Sequence, residues 1–361
     1  MTLLLGIESS CDETAAAVVE DGRLVRSNVV ASQHDLHRKY RGVVPEIASR
    51  AHLERIMPVV TEAIDCAGTS LGDLNGVAVT NRPGLIGSLL VGVSAAKTLA
   101  WAAQLPLIGI DHIHAHLYAA HLQMEQVTNK PIGPRPTYPA IGLVVSGGHT
   151  SLYDLASATD INLLGRTIDD AVGEAYDKAA VILDAGYPGG PHLDALAQKG
   201  DPSSTRLPRS MLGPDSLDFS FSGLKTALLY AVRGQPQRQD ERVVFERSAQ
   251  DLSPQERADL AASFQTSAVE TLILKLQRTF DKLLALGRPP RCLILGGGVS
   301  ANSLLRRRTV QWGARCKLDV HLPPLALCLD NAAMIAGLAY PYFQMKRFDD
   351  LQLPAAAASA V

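Results

Sequence analysis

Apolar and polar positions along the chain fall into short blocks whose period switches between two and about 3.6 residues, and these switches set the expected elements. Residues 3–7 and 15–19 are apolar runs of strand length, separated by the polar stretch Glu8-Ser9-Ser10-Cys11-Asp12-Glu13-Thr14. Asp21-Gly22 then turns the chain into a third strand over 23–32. Behind Pro45, a favoured first helical residue, apolar positions recur at helical spacing over 44–67. A buried strand is expected over 74–80, and the glycine-rich 83–88 opens a helix over 89–103. A further apolar run, 105–110, leads into Asp111 and a histidine-rich segment.

The second half opens on the same plan. An apolar strand over 140–145 meets the small polar turn Ser146-Gly147-Gly148-His149-Thr150, and strands follow over 151–155 and 161–166. Helices are expected over 167–184, through Asp194, from Phe219-Ser220-Phe221-Ser222 onward, and over 257–286. A strand over 291–295 ends in Gly296-Gly297-Gly298-Val299-Ser300-Ala301-Asn302, which turns into a helix carrying Arg306, Arg307 and Arg308. After a strand over 318–322, Asp330-Asn331 begin a helix over 332–342, where N-capping is the plain role for Asp330. The proline-rich, aperiodic stretch 126–139 marks the boundary between lobes. Dense in Arg, Gln, Asp and Glu, 233–254 reads as a mobile loop or a solvated helix end, and the tail 355–361 as frayed.

Strand, polar turn and strand thus occur at 6–19 and again at 142–155. The repeat points to an α/β chain of two related lobes, each presenting a hydroxyl- or glycine-bearing turn to a shared cleft. Lobe I is expected over 1–136, completed by about 325–350, and lobe II over 137–324. Paired turns of this kind can hold nucleotide phosphates on backbone N–H groups.

Composition narrows the class. At 361 residues, with 47% hydrophobic and 19% charged residues, the chain is an ordinary globular protein too long for one core. A formal charge of −2 excludes global attraction to nucleic acid, so any such contact needs a local basic patch. Two candidates are the stretch Arg38-Lys39-Tyr40-Arg41 and the run Arg306 to Arg308, though each also reads as a solvated charge run. The five cysteines, Cys11, Cys66, Cys292, Cys316 and Cys328, are scattered, which predicts reduced thiols in a cytoplasmic setting. No apolar run is expected to span a bilayer, so no membrane is implied.

The chemistry-bearing segment is Asp111-His112-Ile113-His114-Ala115-His116, which holds three of the ten histidines. As a strand it would put all three imidazoles on one face. As a helix capped by Asp111 it stacks His112 and His116 about 6 Å apart along the axis and sends His114 away. The helix is favoured, because the residues that follow suit it. Two imidazoles so placed can hold one metal ion, and the competing reading is a histidine-rich helix face that is solvated or hydrogen-bonded.

With these pieces in order the chain resembles the bacterial tRNA N6-adenosine threonylcarbamoyltransferase family, part of the universal threonylcarbamoyladenosine-synthesis proteins once described as glycoproteases. Co-linear motifs carry the resemblance: 6–14, 42–46, His112-x-x-Ala115-His116, 145–150, 169–178, 187–191, 219–226, 297–302 and Asp330-Asn331. It implies a two-lobed actin/Hsp70-like (ASKHA) α/β fold with a duplicated mixed-sheet core and an interlobe cleft. The implied reaction moves a threonylcarbamoyl group from threonylcarbamoyl-AMP to N6 of adenosine 37 in tRNAs reading ANN codons, forming t6A. By the same resemblance His112, His116 and Asp330 hold one divalent metal ion per subunit, Fe(II) ahead of Zn(II) or Mg(II). Val144, Val145, Ser146, Gly147, Gly148, Asp177, Gly190, Asp194 and Asn302 line the adenylate site. Partners implied are tRNA, a smaller inactive paralogue and an ATPase. Ala103, Leu329 and the long 233–254 segment depart from the family pattern.

The chemistry such a transfer needs assigns further roles. Adenine N6 is a poor nucleophile, so the donor must be activated and well oriented. Backbone N–H groups of the Ser146-Gly147-Gly148 and Ser9-Ser10 turns are expected at the phosphate. Asp12 or Glu13 is expected to take the amine proton, with His149 the alternative. The rivals are a metalloprotease, which lacks a Glu after the first histidine, an ATPase or sugar kinase of the same fold, and a non-enzymatic scaffold.

Overall fold

The computed structural model describes residues 1–40, 42–124, 134–210, 212–239 and 242–359. The chain divides into two compact units: unit 1 is Met1–Pro136, Ala156–Ile161 and Pro323–Val361, and unit 2 is Thr137–Leu155 and Asn162–Leu322.

Unit 1 is built on six strands, β1 (Leu3–Glu8), β2 (Glu13–Glu20), β3 (Leu24–Ser32), β4 (Gly76–Arg82), β5 (Leu107–Asp111) and β6 (Gln123–Met124), in the order β5-β4-β1-β2-β3-β6. The first three pair antiparallel, while β4 and β5 add in parallel beyond β1. Its helices are α1 (His34–His37), α2 (Pro45–Cys66), α3 (Ile86–Ala103), α4 (His112–Tyr118) and α10 (Ala332–Gln344). Alternation along β1 splits its side chains between two cores. Leu3, Leu5 and Ile7 pack with Ile56, Val60, Val93 and Ala96 of α2 and α3, whereas Leu4 packs with Ala332, Ile335 and Ala336 of α10. Gly6 shares the α10 face, and a Cβ there would stand 2.4 Å from Ala332 O and 2.7 Å from Ala336 N. Only a glycine lets helix and strand approach this closely, and Glu8 is the next residue on that face.

Three expectations for unit 1 are corrected. α3 is 18 residues long and apolar enough by length and composition to cross a membrane. In this structure one face of it packs in unit 1, with Leu89, Val93, Ala96 and Ala100 buried. The histidine helix stops at Tyr118, passes a 3-10 turn, and gives way to β6, because Leu122 is extended. The tail is held at its start: Asn81 Nδ2 donates to Pro354 O at 3.1 Å and Ala356 N–H donates to Asn81 O at 2.9 Å. Asp349 N–H donates to Leu107 O, Gly109 N–H donates back to Asp349 Oδ2, and Leu353 is buried. Ala360 and Val361 lie outside the described residues.

Unit 2 repeats the plan. Its strands β7 (Ala140–Val145), β8 (Thr150–Leu155), β9 (Ile161–Arg166), β12 (Cys292–Gly296) and β13 (Asp319–His321) run in the order β13-β12-β7-β8-β9, the order of β5-β4-β1-β2-β3 in unit 1. Around them stand α5 (Val172–Ile182), α6 (Gly189–Ala197), α7 (Ser222–Arg233), α8 (Pro254–Ala285) and α9 (Ser303–Cys316). The core gathers Leu143, Tyr176, Phe219, Phe221, Phe264 and Trp312. α8 starts at a capping box, with Ser253 Oγ accepting from Glu256 N–H at 3.2 Å and Glu256 Oε2 accepting from Ser253 N–H at 2.8 Å.

In place of the loop or helix end expected over 233–254, β10 (Gln237–Gln239) and β11 (Arg242–Val244) pair antiparallel, with Asp240 and Glu241 outside the described residues. α5 begins at Val172 and not at Thr167, because the carboxylate of Asp169 is bonded instead to Ser220, Phe221 N–H and Ser222.

Gly6→Ala is expected to destabilise the protein by about 1–3 kcal/mol, since the new Cβ meets backbone that cannot yield. Gly147→Ala, where a Cβ meets nothing within 4 Å, should leave the chemical-denaturation midpoint unchanged.

Candidate functional site

In unit 1, β5 ends at Asp111, whose carboxylate accepts N–H bonds from Ile113 at 2.9 Å and His114 at 3.3 Å. This cap starts α4 where the residue types predict, and the helical reading of the histidines holds. The rings of His112 and His116 stand 4.7 Å apart between centroids, edge to face at 78°. Asp330 approaches from the other end of the chain, ahead of α10. That helix is capped by Asn331, whose Oδ1 accepts from Met334 N–H at 3.0 Å, so Asp330 is released from the role its position suggested. Its Oδ1 lies 3.2 Å from His116 Nε2 and 3.6 Å from His112 Nε2. One ligating atom from each of the three residues falls within 4.8 Å of the others, and His114 is outside the group.

Glu8 is the residue that sequence reasoning left in a polar loop. It closes β1, is 1% exposed, and accepts at Oε2 from His112 Nδ1 (2.9 Å) and Thr80 Oγ1 (2.6 Å) and at Oε1 from Ser10 N–H (2.6 Å). Bonding at Nδ1 leaves His112 Nε2 directed to Asp330, the arrangement that orients a ligating imidazole. Burial alone would raise the Glu8 carboxyl, but its contact with His112 outweighs that and holds it low. Burial likewise opposes charge on His112, yet Glu8 and Asp330 raise its pKa to about 9. Glu13 is pushed up to about 9, first by burial and then by Asp330 and Asp12, and burial pushes the Cys11 thiol up.

Whether a cation fits can be judged from these residues. His116 is fully buried, and apart from the 3.2 Å approach of Asp330 to Nε2 neither ring nitrogen has a hydrogen-bond partner, a costly state for an imidazole that nothing ligates. Acids crowd around Asp330 until Glu13 holds its proton. Two imidazoles and a carboxylate suit Fe(II) or Zn(II), and a positive ion relieves both conditions. The residues fit a metal.

Unit 2 places the other expected residues. Val144 and Val145 end β7 with their side chains buried in the sheet. Ser146 N–H donates to His149 O at 2.8 Å, and Ser146 Oγ accepts from His149 N–H at 3.1 Å, closing a tight turn. Gly147 and Gly148 stand at its tip in open space. Gly297, at φ +89°, comes so near that a Cβ would meet Val145 O at 2.4 Å. Asp177, raised by burial, accepts from Gly189 N–H at 3.0 Å and also from the Gly190 backbone. Gln265 joins two more of the expected residues, donating to Asp194 Oδ1 at 2.9 Å and accepting from Asn302 Nδ2 at 3.0 Å. Both are also tied to the start of α9: Asn302 Oδ1 accepts from Leu305 N–H, and Asp194 accepts from Ser303. In unit 1, Ser10 N–H is already bonded to Glu8 and Ser9 Oγ to Ser88 O, which weakens the phosphate role expected of that turn.

The basic candidates separate. Arg38, Lys39 and Tyr40 form an exposed 3-10 turn with Lys39 4.8 Å over the Tyr40 ring, and Arg41 lies outside the described residues. Arg306 donates to Ser300 O at 3.1 Å, Arg307 is exposed, and Arg308 stands 3.9 Å from Glu270.

Comparison with known proteins gives concordant results. Residues 24–337 match the family model described as tRNA N6-adenosine threonylcarbamoyltransferase. A protein of that name from Trichlorobacter lovleyi is 49% identical over 355 residues, covering 98% of this chain and 96% of the relative. Another from Symbiobacterium thermophilum is 50% identical over 355 residues, covering 98% and 95%. Among solved structures, HypF of T. kodakarensis aligns over 95% of this chain and 48% of its own, with TM-score 0.54 and 15% identity. Component A of the Acidaminococcus fermentans (R)-2-hydroxyglutaryl-CoA dehydratase aligns over 94% and 98%, with TM-score 0.50 and 13% identity. These structural likenesses concern the fold alone, which is the two-lobed actin/Hsp70-like α/β class.

Glu8→Gln removes the charge that raises His112, and divalent-ion affinity measured by competition with a chromophoric chelator should fall about 10–100-fold. In the unaltered protein His112 must lose a proton to ligate, so affinity should climb about tenfold per pH unit from pH 7 to 9, and Glu8→Gln should reduce that slope by about one proton. Without metal, the raised His112 pKa stabilises the fold fully below about pH 6.5, its unfolded value, and that contribution should fade in thermal melts as pH passes through about 9.

Proposed function

The chain belongs to the tRNA N6-adenosine threonylcarbamoyltransferase family, and on that premise we propose that it transfers the threonylcarbamoyl group of threonylcarbamoyl-AMP to N6 of adenosine 37 in tRNAs reading ANN codons. The observation that carries this reading is close similarity to transferases of that name along 98% of the chain. The products are t6A and AMP.

In this reading N6 attacks the carbamoyl carbonyl, the mixed anhydride breaks, and AMP leaves. His112, His116 and Asp330 would hold a divalent ion, Fe(II) in preference to Zn(II) or Mg(II) on their donor types. When bound, that ion supplies Lewis-acid polarisation of the threonylcarbamoyl group. Glu8 fixes the tautomer and direction of His112. We assign the phosphate to the backbone of Gly147 and Gly148, which stand in open space at the tip of their turn. Asp177, Gly190, Asp194 and Asn302, with the backbone at Val144, Val145 and Ser146, are assigned to the adenylate.

The proton lost by N6 passes to the Asp12–Glu13 pair, in which Asp12 is the acceptor because burial and the nearby Asp330 keep the proton on Glu13. His149, at the turn of unit 2, is the alternative acceptor. A tRNA substrate places the protein in the cytoplasm, and the smaller inactive paralogue and the ATPase complete the set of partners in this proposal.

His116→Ala is expected to lose bound metal and to lower transfer more than about 100-fold together. Mass spectrometry of nucleosides from tRNA incubated with the protein, threonylcarbamoyl-AMP and both partners reads the transfer, and elemental analysis reads the metal. Full transfer by this variant would remove the ion from the reaction, and no added mass on adenosine 37 with the unaltered protein would remove the reading itself.

A further inference from the structure

The turn from Ser9 to Asp12 lies beyond the last paired residues of β1 and β2, Glu8 and Ala15. Three of its successive carbonyls are each taken by a different segment of unit 1. Ser10 O accepts from Leu85 N–H at 2.8 Å, Cys11 O from His52 Nε2 at 3.0 Å, and Asp12 O from Gln33 N–H at 3.0 Å. The outer two donors are backbone groups, and the middle one is a side chain of α2.

His52 is 0% exposed. A carbonyl can only accept, so its Nε2 carries the hydrogen, and in the neutral ring Nδ1 accepts from the Thr14 hydroxyl, 2.7 Å away. Burial lowers the pKa of this imidazole and favours that neutral form. One ring therefore closes on residue 11 with one nitrogen and on residue 14 with the other. Asp12 and Glu13 lie between those two anchors, and Asp330, after burial, helps to raise the pKa of Glu13. A histidine buried for packing alone has no need to bracket two acids in this way.

We infer that His52 is a positioning residue for the transfer, a clamp that holds the main chain of residues 11–14 and with it the placement of Asp12 and Glu13. The inference rests on the reading of that acid pair as the proton acceptor. His52 touches neither a proposed metal ligand nor substrate, so its effect should appear in turnover and not in metal content.

Three variants test it in the full chain with both partners present. His52→Leu removes both bonds, His52→Gln retains a donor near the Nε2 position, and Thr14→Val removes only the hydroxyl. Amide hydrogen exchange over residues 10–14 should quicken at least about tenfold in His52→Leu while the amides of β1 and of β2 beyond Thr14 keep their protection. Turnover (kcat) should fall about 10–100-fold with KM for tRNA and bound metal unchanged, since misplacement and not lost binding is the defect. His52→Gln should recover most of kcat, and Thr14→Val should show a smaller loss of the same kind.

The inference is overturned by unchanged exchange at residues 10–14, by kcat within twofold of the unaltered protein, or by metal lost in proportion to activity. If His52→Leu does not fold, His52→Gln and Thr14→Val carry the same readouts, and full activity and protection in Thr14→Val with no difference in His52→Gln would overturn it. Absence of t6A formation by the unaltered protein, with exchange behaving as expected, would instead locate the failure in the transfer reading.

Discussion

A carboxylate sealed at the end of a central strand, bonded to an imidazole that begins a helix, is the contact on which unit 1 depends. Glu8 is 1% exposed, and leaving its charge unpaired there would cost several kcal/mol. Thr80 from β4, Ser10 from the turn and His112 from α4 answer it together. Each answer requires its strand in place: β1 at the middle of the sheet, β4 beside it, and β5 one strand further to deliver Asp111 and the helix it caps. Gly6, two residues before Glu8, lets α10 lie against β1, and Asn331 caps α10 so that Asp330 is free to meet the two histidines. The grouping of His112, His116 and Asp330 is thus the end of a sequence of packing decisions.

Much of this was legible in local patterns. Asp111 before an apolar helical stretch announced α4, and with it the pairing of His112 with His116 and the exclusion of His114, because capping and i,i+4 geometry are local. Pro45 marks a helix start for the same reason, whereas the Ser253–Glu256 box was passed over and the helix behind it was expected only from 257. Asp330 was reached only through family resemblance, since more than two hundred residues separate it from His116 and no local rule spans that distance. Glu8 was missed although a signal existed. It follows Leu4 and Gly6 at strand spacing on the face that packs against α10, so its burial was readable from parity. Asp194 and Asn302 were expected at a ligand, and the structure shows their side chains also bonded to the start of α9, a tertiary arrangement that spacing does not reveal. The pairing of β10 with β11 was hidden by the polarity of the 233–254 stretch around it, which imitates a loop.

The two units share the order of five strands, and the turn after the first strand of each sets them apart chemically. In unit 1 the turn after the first strand is filled with acids and bound on all sides, while in unit 2 the corresponding turn is Ser146-Gly147-Gly148-His149, with open space at its two glycines. The same backbone plan therefore carries two different turns, one that concentrates negative charge and one whose two glycines leave open space. The difference lies in a handful of residues and leaves the sheet untouched.

The order β5-β4-β1 also means that the strand delivering Asp111 and His112 is the outermost of its sheet, with a ladder partner on one side only. Outer strands open first in native-state fluctuations and invite pairing with other chains. Here the far side of β5 is covered by the segment after α10, through the bridge of Leu107 with Asp349, the Gly109 bond to Asp349 and the contact of Leu353 with Gly109. A segment with no part in the chemistry thereby acts as a selvedge, the woven border that keeps a cloth from unravelling at the thread that carries the most.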